Sequence, residues 1–284
     1  MVGSENSKAL YDDVSMGCSR ISTRMYSTSF SLGIKFLDRD LRDPIYSIYG
    51  FVRFADEIVD TFHGFDKETL LNRFEEETYR AIGEKISLNP ILNSFQKTVN
   101  EFGIKRPVIE RFIASMRMDL NYKTHNNQSI DEYILGSAEV VGLMCLRVFC
   151  HGDDKLCQSL ERYAMKLGAA FQKINFLRDV KADYLYLGRN YFPGIDFDNF
   201  DEWTKQEIEA NIAADFAVGF EGIKKLPRNA RFGVYVAYVY YLALFKKIRN
   251  TSSRQVLSKR IRIDNHFKIT LLLYSFFKHR LNLI

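Results

Sequence analysis

Phe171-Gln172-Lys173-Ile174-Asn175-Phe176-Leu177-Arg178-Asp179-Val180-Lys181-Ala182-Asp183 is the stretch on which the reading of this chain turns. Asn175, Asp179 and Asp183 recur every four residues. On a helix that spacing stacks three oxygen-bearing side chains along one face. Ile174, Leu177 and Val180 occupy other faces, which can pack into a core. The ladder falls in a long expected helix, about residues 156–182, set off from the preceding one by Gly152-Asp153-Asp154.

About 120 residues upstream is a second acidic helix face, in Arg53-Phe54-Ala55-Asp56-Glu57-Ile58-Val59-Asp60. Asp56 and Asp60 are one turn apart, and Arg53 precedes Asp56 by three residues. Two such carboxylates repel by about a few tenths of a kcal/mol on an open helix. A solvated face with Asp56 paired to Arg53 is the competing reading. Two acidic faces opposed across a cavity could instead hold magnesium between protein and a diphosphate, since that ion takes oxygen ligands and shares them with substrate phosphates. Arg53, Arg178 and Lys181 flank the faces and could contact phosphate oxygens. Arg178 could equally pair with a carboxylate elsewhere, and Lys181 reads as solvent-facing.

Working outward, nearly every long segment carries helical periodicity. Residues 45–59 place Ile48, Phe51, Val52 and Ala55 at three- and four-residue spacings, with Pro44 suited to the first turn and Asp43 to a cap. Asp66 is an expected cap for residues 67–83, and 90–102 and 107–120 are further helices. Ser129 and Glu132 form an expected capping box for 129–149, whose Gly136, Ser137, Ala138 and Gly142 could admit a second helix or a ligand closely. Residues 188–200, with Pro193 and Gly194, read as irregular. Two or three helices follow, with turns near Pro227 and Asn250-Thr251-Ser252-Ser253. No glycine-rich turn alternates with valine-rich strands, and neither a Walker loop nor a dinucleotide fingerprint is present, so a parallel nucleotide-binding sheet is not expected. The expectation is an all-α chain.

Composition agrees with a large core: 284 residues, 46% apolar and 14% aromatic, rich enough in rings to line a deep apolar cavity. The net charge of +5 is skewed, with ten Lys or Arg after residue 245 against the single acid Asp264. A basic end suits phosphorylated substrate or anionic lipid. No nucleic-acid signature accompanies it, so nucleic acid is not an expected partner. Cys18, Cys145, Cys150 and Cys157 lack zinc spacing and read as buried thiols. The polar N-terminus has no signal-peptide core, which points to the cytoplasm. The fourteen-residue apolar run at 232–245 is short for a membrane span and reads as a buried helix.

These motifs together resemble the phytoene and squalene synthase family of head-to-head prenyl synthases, its bacterial phytoene synthases most of all. The family's first aspartate-rich signature is matched by Tyr49-Gly50-Phe51-Val52-Arg53-Phe54-Ala55-Asp56-Glu57-Ile58-Val59-Asp60. The second is matched by Asn175-Phe176-Leu177-Arg178-Asp179-Val180 and Asp183, followed by Gly188-Arg189-Asn190-Tyr191-Phe192-Pro193. Ser27-Thr28-Ser29-Phe30-Ser31 resembles a segment lining the active site, and the stretch from Tyr133 to Met144 the family's central helix. The likeness runs from about residue 15 to about residue 265.

The resemblance implies a single-domain isoprenoid synthase fold over residues 1–284, with a central active-site cavity. By the same carry-over, Asp56, Asp60, Asn175, Asp179 and Asp183 would ligate Mg2+, with Mn2+ as the substitute ion. Tyr49, Arg53, Asp56, Asp60, Asp179 and Asp183 form the implied catalytic set. Ser29, Phe30, Arg53, Tyr133, Gln172, Arg178, Tyr241 and Arg260 form the implied substrate-binding set, with Arg260 chosen from the run Lys259-Arg260-Ile261-Arg262. Phe30, Tyr49, Phe54, Phe171 and Tyr241 are the aromatic positions expected along the reaction path.

The implied reaction joins two geranylgeranyl diphosphates to phytoene through a cyclopropyl diphosphate, without NADPH. The absence of a C-terminal transmembrane anchor favours phytoene over squalene or dehydrosqualene from farnesyl diphosphate. A head-to-tail prenyl synthase or a terpene cyclase would also be helical and magnesium-dependent, and a non-enzymatic scaffold or assembly protein could keep the same fold. Implied partners are allylic isoprenoid diphosphates, downstream carotenoid enzymes and, through the basic end and apolar residues 269–277, the inner face of a membrane. Lys181-Ala182 departs from the family pattern, in which a glycine and an acid often precede Asp183.

Overall fold

In the computed structural model the chain is described over residues 2–121, 124–185 and 188–281, and among these residues it forms thirteen α-helices and no strand. The first five are α1 (Val2–Tyr26), α2 (Thr28–Lys35), α3 (Arg39–Asp60), α4 (Lys67–Glu84) and α5 (Pro90–Phe102). They are followed by α6 (Arg106–Asn121), α7 (Asn127–Ile134), a π-helical turn (Leu135–Glu139), α8 (Val140–Phe149) and α9 (Asp154–Leu185). A short 3-10 turn (Phe197–Asn199) leads to α10 (Glu202–Lys225), α11 (Arg228–Arg249), α12 (Ser253–Ser258) and α13 (Asn265–Arg280).

Local chemistry sets most boundaries. Asp66 accepts the Thr69 amide hydrogen at 3.0 Å and caps α4 as expected. Asn89 caps α5, Pro90 opens it, and Gly103 ends it in the left-handed region at φ 65°. Two expected starts are corrected. α3 begins at Arg39 rather than after Pro44, because Leu41 is fully buried and Asp43, instead of capping, accepts from Arg20 of α1 at 2.7 Å. α7 is capped by Asn126, which accepts the Ser129 amide hydrogen at 2.8 Å while the Ser129 hydroxyl accepts from the Asn126 amide at 2.9 Å. Ser129 therefore sits at the third helical position of the box rather than at its cap, and Glu132 is held by Gln128.

Two apolar cores lie on either side of a cavity. One gathers α3, α4, α5, α6 and α8 around Phe51, whose ring stacks on Phe95 at 3.8 Å and approaches Phe74 and Phe112. The other joins α9, α10 and α11 through Ile174, Leu177, Phe216, Tyr235 and Phe245. The small residues at 136–142 serve helix contact, and Ser137, Ala138 and Gly142 also line the cavity. A Cβ on Gly142 would lie 2.7 Å from the Ala164 carbonyl oxygen of α9, and one on Gly168 would lie 2.6 Å from that of Ala138. α9 thus approaches the π turn and α8 at backbone distance, which only glycine permits.

Residues 188–200 are irregular as expected, and Asn190 knits them by donating to Ile195 O and accepting from the Phe192 amide, both at 2.8 Å. The apolar run at 232–245 lies within buried α11. α13 packs on α11 through Phe232 and His279, yet leaves Phe267, Ile269, Leu273, Tyr274 and Phe277 exposed. Among the described residues no helix is long and apolar enough to cross a membrane. The four cysteines are free thiols, Cys150 and Cys157 buried.

Candidate active site

A cavity of about 1010 Å³ lies between the two cores. α3 lines it with Tyr49, Val52, Arg53, Asp56 and Asp60, residues that three- and four-residue spacing brings onto one helical face. α9 lines the opposite wall with Phe171, Gln172, Asn175, Phe176, Arg178, Asp179 and Asp183. From Asp183 to Leu160 the cavity follows α9 for roughly 34 Å, at ~1.5 Å of rise per residue. Its polar end holds the acids. Its far end is apolar, bounded by Leu146, Phe149, Leu160 and Leu226.

Between these ends is a belt of rings. Phe171 stacks on Tyr241 at 4.0 Å, and Phe30 lies 5.8 Å from Tyr49 and 5.7 Å from Tyr241. Ser27 caps α2 by accepting the Phe30 amide hydrogen at 3.2 Å, which sets Ser29 and Phe30 on the lining. Phe54 is the exception among the five expected rings: it lies one position off the cavity face of α3, is 38% exposed and lies outside the lining.

Arginines neutralise the acids in the ligand-free protein. Arg53 pairs with Asp56 and Glu57, with its guanidinium 4.3 Å above the Tyr26 ring. Arg178 donates to Asp179 at 3.1 Å, and Arg260 reaches the same carboxylate at 2.7 Å. Arg189 donates to Asp60 at 2.6 Å while its backbone amide donates to Asp183 O at 2.8 Å, tying the end of α3 to the end of α9. Burial pushes the Asp56 carboxyl up to about 7, and the Asp60 charge adds to the shift. Burial also pushes Asp183 up to about 7, helped by Asp179 and Asp60. Asp56 keeps 32% of its side chain open, toward the cavity it lines.

No three acidic, histidine or cysteine groups form a ready cage for an ion among the described residues. The donor set nevertheless fits a hard divalent cation. Asp56, Asp60, Asp179, Asp183 and the Asn175 amide oxygen all line one cavity, and the carboxylates of α3 and α9 lie near enough that Asp60 raises the pKa of Asp183. A cation shared with an anionic ligand would relieve that repulsion.

The cavity brings together all the implied site residues: Ser29, Phe30, Tyr49, Arg53, Asp56, Asp60, Tyr133, Gln172, Asn175, Arg178, Asp179, Asp183, Tyr241 and Arg260. Gln172 lies 3.5 Å from both Ser137 and Asn175, and the Tyr241 hydroxyl donates to Asn175 at 3.4 Å. Lys181 points away and donates to Ser258 O at 2.9 Å, so the departure at Lys181-Ala182 lies off the cavity wall and ties α9 to α12.

Two polar residues, Arg189 and Tyr191, join the cavity lining with no role assigned from the sequence, and Asp119 bonds to both from behind it. Arg189 and Tyr191 belong to the segment 188–193, and Asp119 belongs to neither acidic motif. The signal for Asp119 is an acid continuing the apolar face of Phe112 and Met116 at four- and three-residue spacing. Asp119 is 8% exposed, and burial pushes its carboxyl up to about 6. Arg262 and Lys268 also line the polar end, Lys268 donating to the Thr28 hydroxyl at 3.0 Å.

The family profile described as squalene/phytoene synthase matches residues 23–266. A phytoene synthase of Mycobacterium bovis is 27% identical over 179 residues, covering 62% of this chain and 56% of that protein. A presqualene diphosphate synthase of Rhodopseudomonas palustris is 28% identical over 172 residues, covering 58% of each. The chain thus spans little more than half the length of these two relatives. A crystal structure of a dehydrosqualene synthase in complex with ligand superposes with a TM-score of 0.80 at 20% identity, covering 96% of this chain and 98% of that one. At that identity the likeness is one of fold.

Proposed function

The chain belongs to the squalene/phytoene synthase family, and from that premise we propose that it joins two geranylgeranyl diphosphates head to head into phytoene. One observation carries the reading. A polar end rich in carboxylates and arginines opens into a long apolar cavity of about 1010 Å³, at the upper limit of ordinary ligand sites (roughly 300–1,000 Å³). That form suits two long prenyl tails whose diphosphates share one charged end.

Asp56, Asp60, Asn175, Asp179 and Asp183 would hold magnesium, or manganese in its place, to supply positive charge where diphosphate departs. Arg53, Arg178 and Arg260, each on a carboxylate in the free protein, would turn their guanidinium forks to diphosphate oxygens. Loss of the first diphosphate leaves an allylic cation, which the second substrate's double bond attacks. The tertiary cation so formed closes to a cyclopropyl diphosphate as a proton passes to the departed diphosphate. Ionisation of that species and rearrangement give the joined hydrocarbon. Phe30, Tyr49, Phe171 and Tyr241 exclude water and offer ring faces to the cation. Burial pushes Tyr241 up to about 12 and raises Tyr49, so both phenols stay neutral. The final proton would then pass to a departing diphosphate oxygen. No step consumes NADPH.

Farnesyl diphosphate, giving squalene or dehydrosqualene, is the second reading, favoured by the relative named presqualene diphosphate synthase. A scaffold role is disfavoured because Asp56, Asp60, Asp179 and Asp183 are all present on the cavity wall. The hydrocarbon product would leave to a lipid surface and to downstream carotenoid enzymes, for which a cytoplasmic protein peripheral on the inner membrane face is the fitting arrangement.

Purified protein supplied separately with geranylgeranyl and farnesyl diphosphate, without NADPH, is expected to turn over the geranylgeranyl substrate in preference and to give phytoene from it. Chelation should abolish turnover, and Mg2+ or Mn2+ should restore it. A dominant C30 product would overturn the chain-length assignment, and strict dependence on isopentenyl diphosphate would overturn head-to-head condensation.

A further inference from the structure

Asp119 is a buried carboxylate to which the reaction above assigns no task. It lies in the last turn of α6, and three side chains converge on it. Oδ2 accepts the Tyr133 hydroxyl hydrogen at 2.8 Å, and Oδ1 accepts that of Tyr191 at 3.1 Å. The Arg189 guanidinium lies 3.8 Å from Oδ1, and its Nη2 donates to the Asp119 backbone carbonyl at 3.2 Å. Arg189 also donates to the Tyr191 hydroxyl at 3.3 Å and to Asp60 at 2.6 Å. The Tyr133 and Tyr191 rings stack at 5.2 Å, and Tyr191 stacks on Phe176 of α9 at 4.3 Å. Asp119 therefore joins α6, α7, the loop after α9 and, through Arg189, the acidic end of α3.

A phenol has one hydrogen to donate and lone pairs to accept with. Tyr133 lines the cavity and its hydroxyl hydrogen is committed to Asp119, so toward a ligand there its oxygen can offer lone pairs alone. Such an oxygen stabilises a nearby cation and has no proton to give to a departing anion. Without Asp119 the hydroxyl is free to rotate, and its hydrogen can point at the reacting carbons. Ring stacking alone does not fix that rotation.

We propose that Asp119 is a positioning residue of the condensation: by accepting from Tyr133 and Tyr191 and pairing with Arg189, it fixes the Tyr133 oxygen as a lone-pair donor facing the carbocation path. The proposal rests on the head-to-head reading given above. The test compares wild type, Asp119→Asn, Tyr133→Phe and the double variant, measuring kcat, KM and Tm on the best allylic diphosphate. Asparagine keeps the volume but offers a single acceptor oxygen to two phenol hydrogens and an NH2 in place of the other, and Tm reports whether the fold is retained. Asp119→Asn is expected to lower kcat by roughly 100-fold, the scale of a misplaced catalytic group, with KM moved by less than about threefold. In the Tyr133→Phe background the same change should cost far less, because the hydroxyl it positions is gone.

A kcat loss that multiplies independently with Tyr133→Phe, or one that tracks a fall in Tm, overturns the proposal. A readout independent of turnover is the fluorine resonance of 3-fluorotyrosine at position 133. It should shift in Asp119→Asn at unchanged Tm, and an unmoved resonance overturns the hydrogen-bonding claim even where activity is lost. A wild-type protein that condenses no allylic diphosphate, with the resonance still shifting, would instead place the failure in the head-to-head reading.

Discussion

Asp56 and Asp183 sit on opposite acidic helices, and burial pushes both carboxyls up to about 7, with Asp60 adding to each. An ordinary aspartate has a value of 3.8, which each regains on unfolding. From about pH 4 to about pH 7 the folded protein therefore holds protons that the unfolded chain has lost, and the stability of the ligand-free protein falls as pH rises through that window. Urea unfolding at about pH 5 and about pH 7.5 should show this fall in wild type and a flatter dependence in Asp56→Asn/Asp183→Asn. Equal slopes would mean that the two carboxyls are not under this strain. Magnesium with a diphosphate analogue needs the ionised acids, so its stabilising effect should grow across the same range. At this scale Arg189 is the positive charge that holds Asp60, at 2.6 Å.

Among the elements, α9 carries the most. It supplies the second acidic ladder and Phe171, it follows the cavity to its apolar end, and it packs against α8 at backbone distance. That contact needs Gly142. Gly142→Ala would place a Cβ 2.7 Å from the Ala164 carbonyl, so α8 or α9 must shift. The expected cost is about 1–3 kcal/mol, from the overpacking of a filled interface. It would appear as a lower Tm, with reduced turnover because Gly142 and Ala164 both line the cavity. Unchanged stability would mean that the two helices slide apart freely, which the Gly168 contact argues against. α3 shows how much a neighbour can add to a helix. Its periodicity is legible from Ile45 onward, but the extra first turn exists because α1 supplies Arg20 and the core takes Leu41.

For the molecule as a whole, α13 exposes Phe267, Ile269, Leu273 and Phe277 and carries Lys278 and Arg280 in its last turn. Such a surface suits the headgroup region of an anionic bilayer. Ile269→Glu/Phe277→Glu should lower co-sedimentation with anionic vesicles by about tenfold or more, since each exposed apolar side chain contributes on the order of 1 kcal/mol or more on burial. Wild-type protein that ignores anionic vesicles would remove this surface as a membrane contact. The helical character and the two acidic faces were legible in the sequence, because helical periodicity and four-residue spacing are local properties that the chain carries in one dimension. The ring positions, by contrast, were implied by the family resemblance alone. Only the tertiary structure decided that Asp119, Tyr133, Tyr191 and Arg189 meet, that Phe54 turns away from the cavity, and that Arg260 reaches Asp179 across 81 residues. Those pairings depend on which helices lie side by side and on what burial does to a charge, and neither is written in the spacing of any one segment.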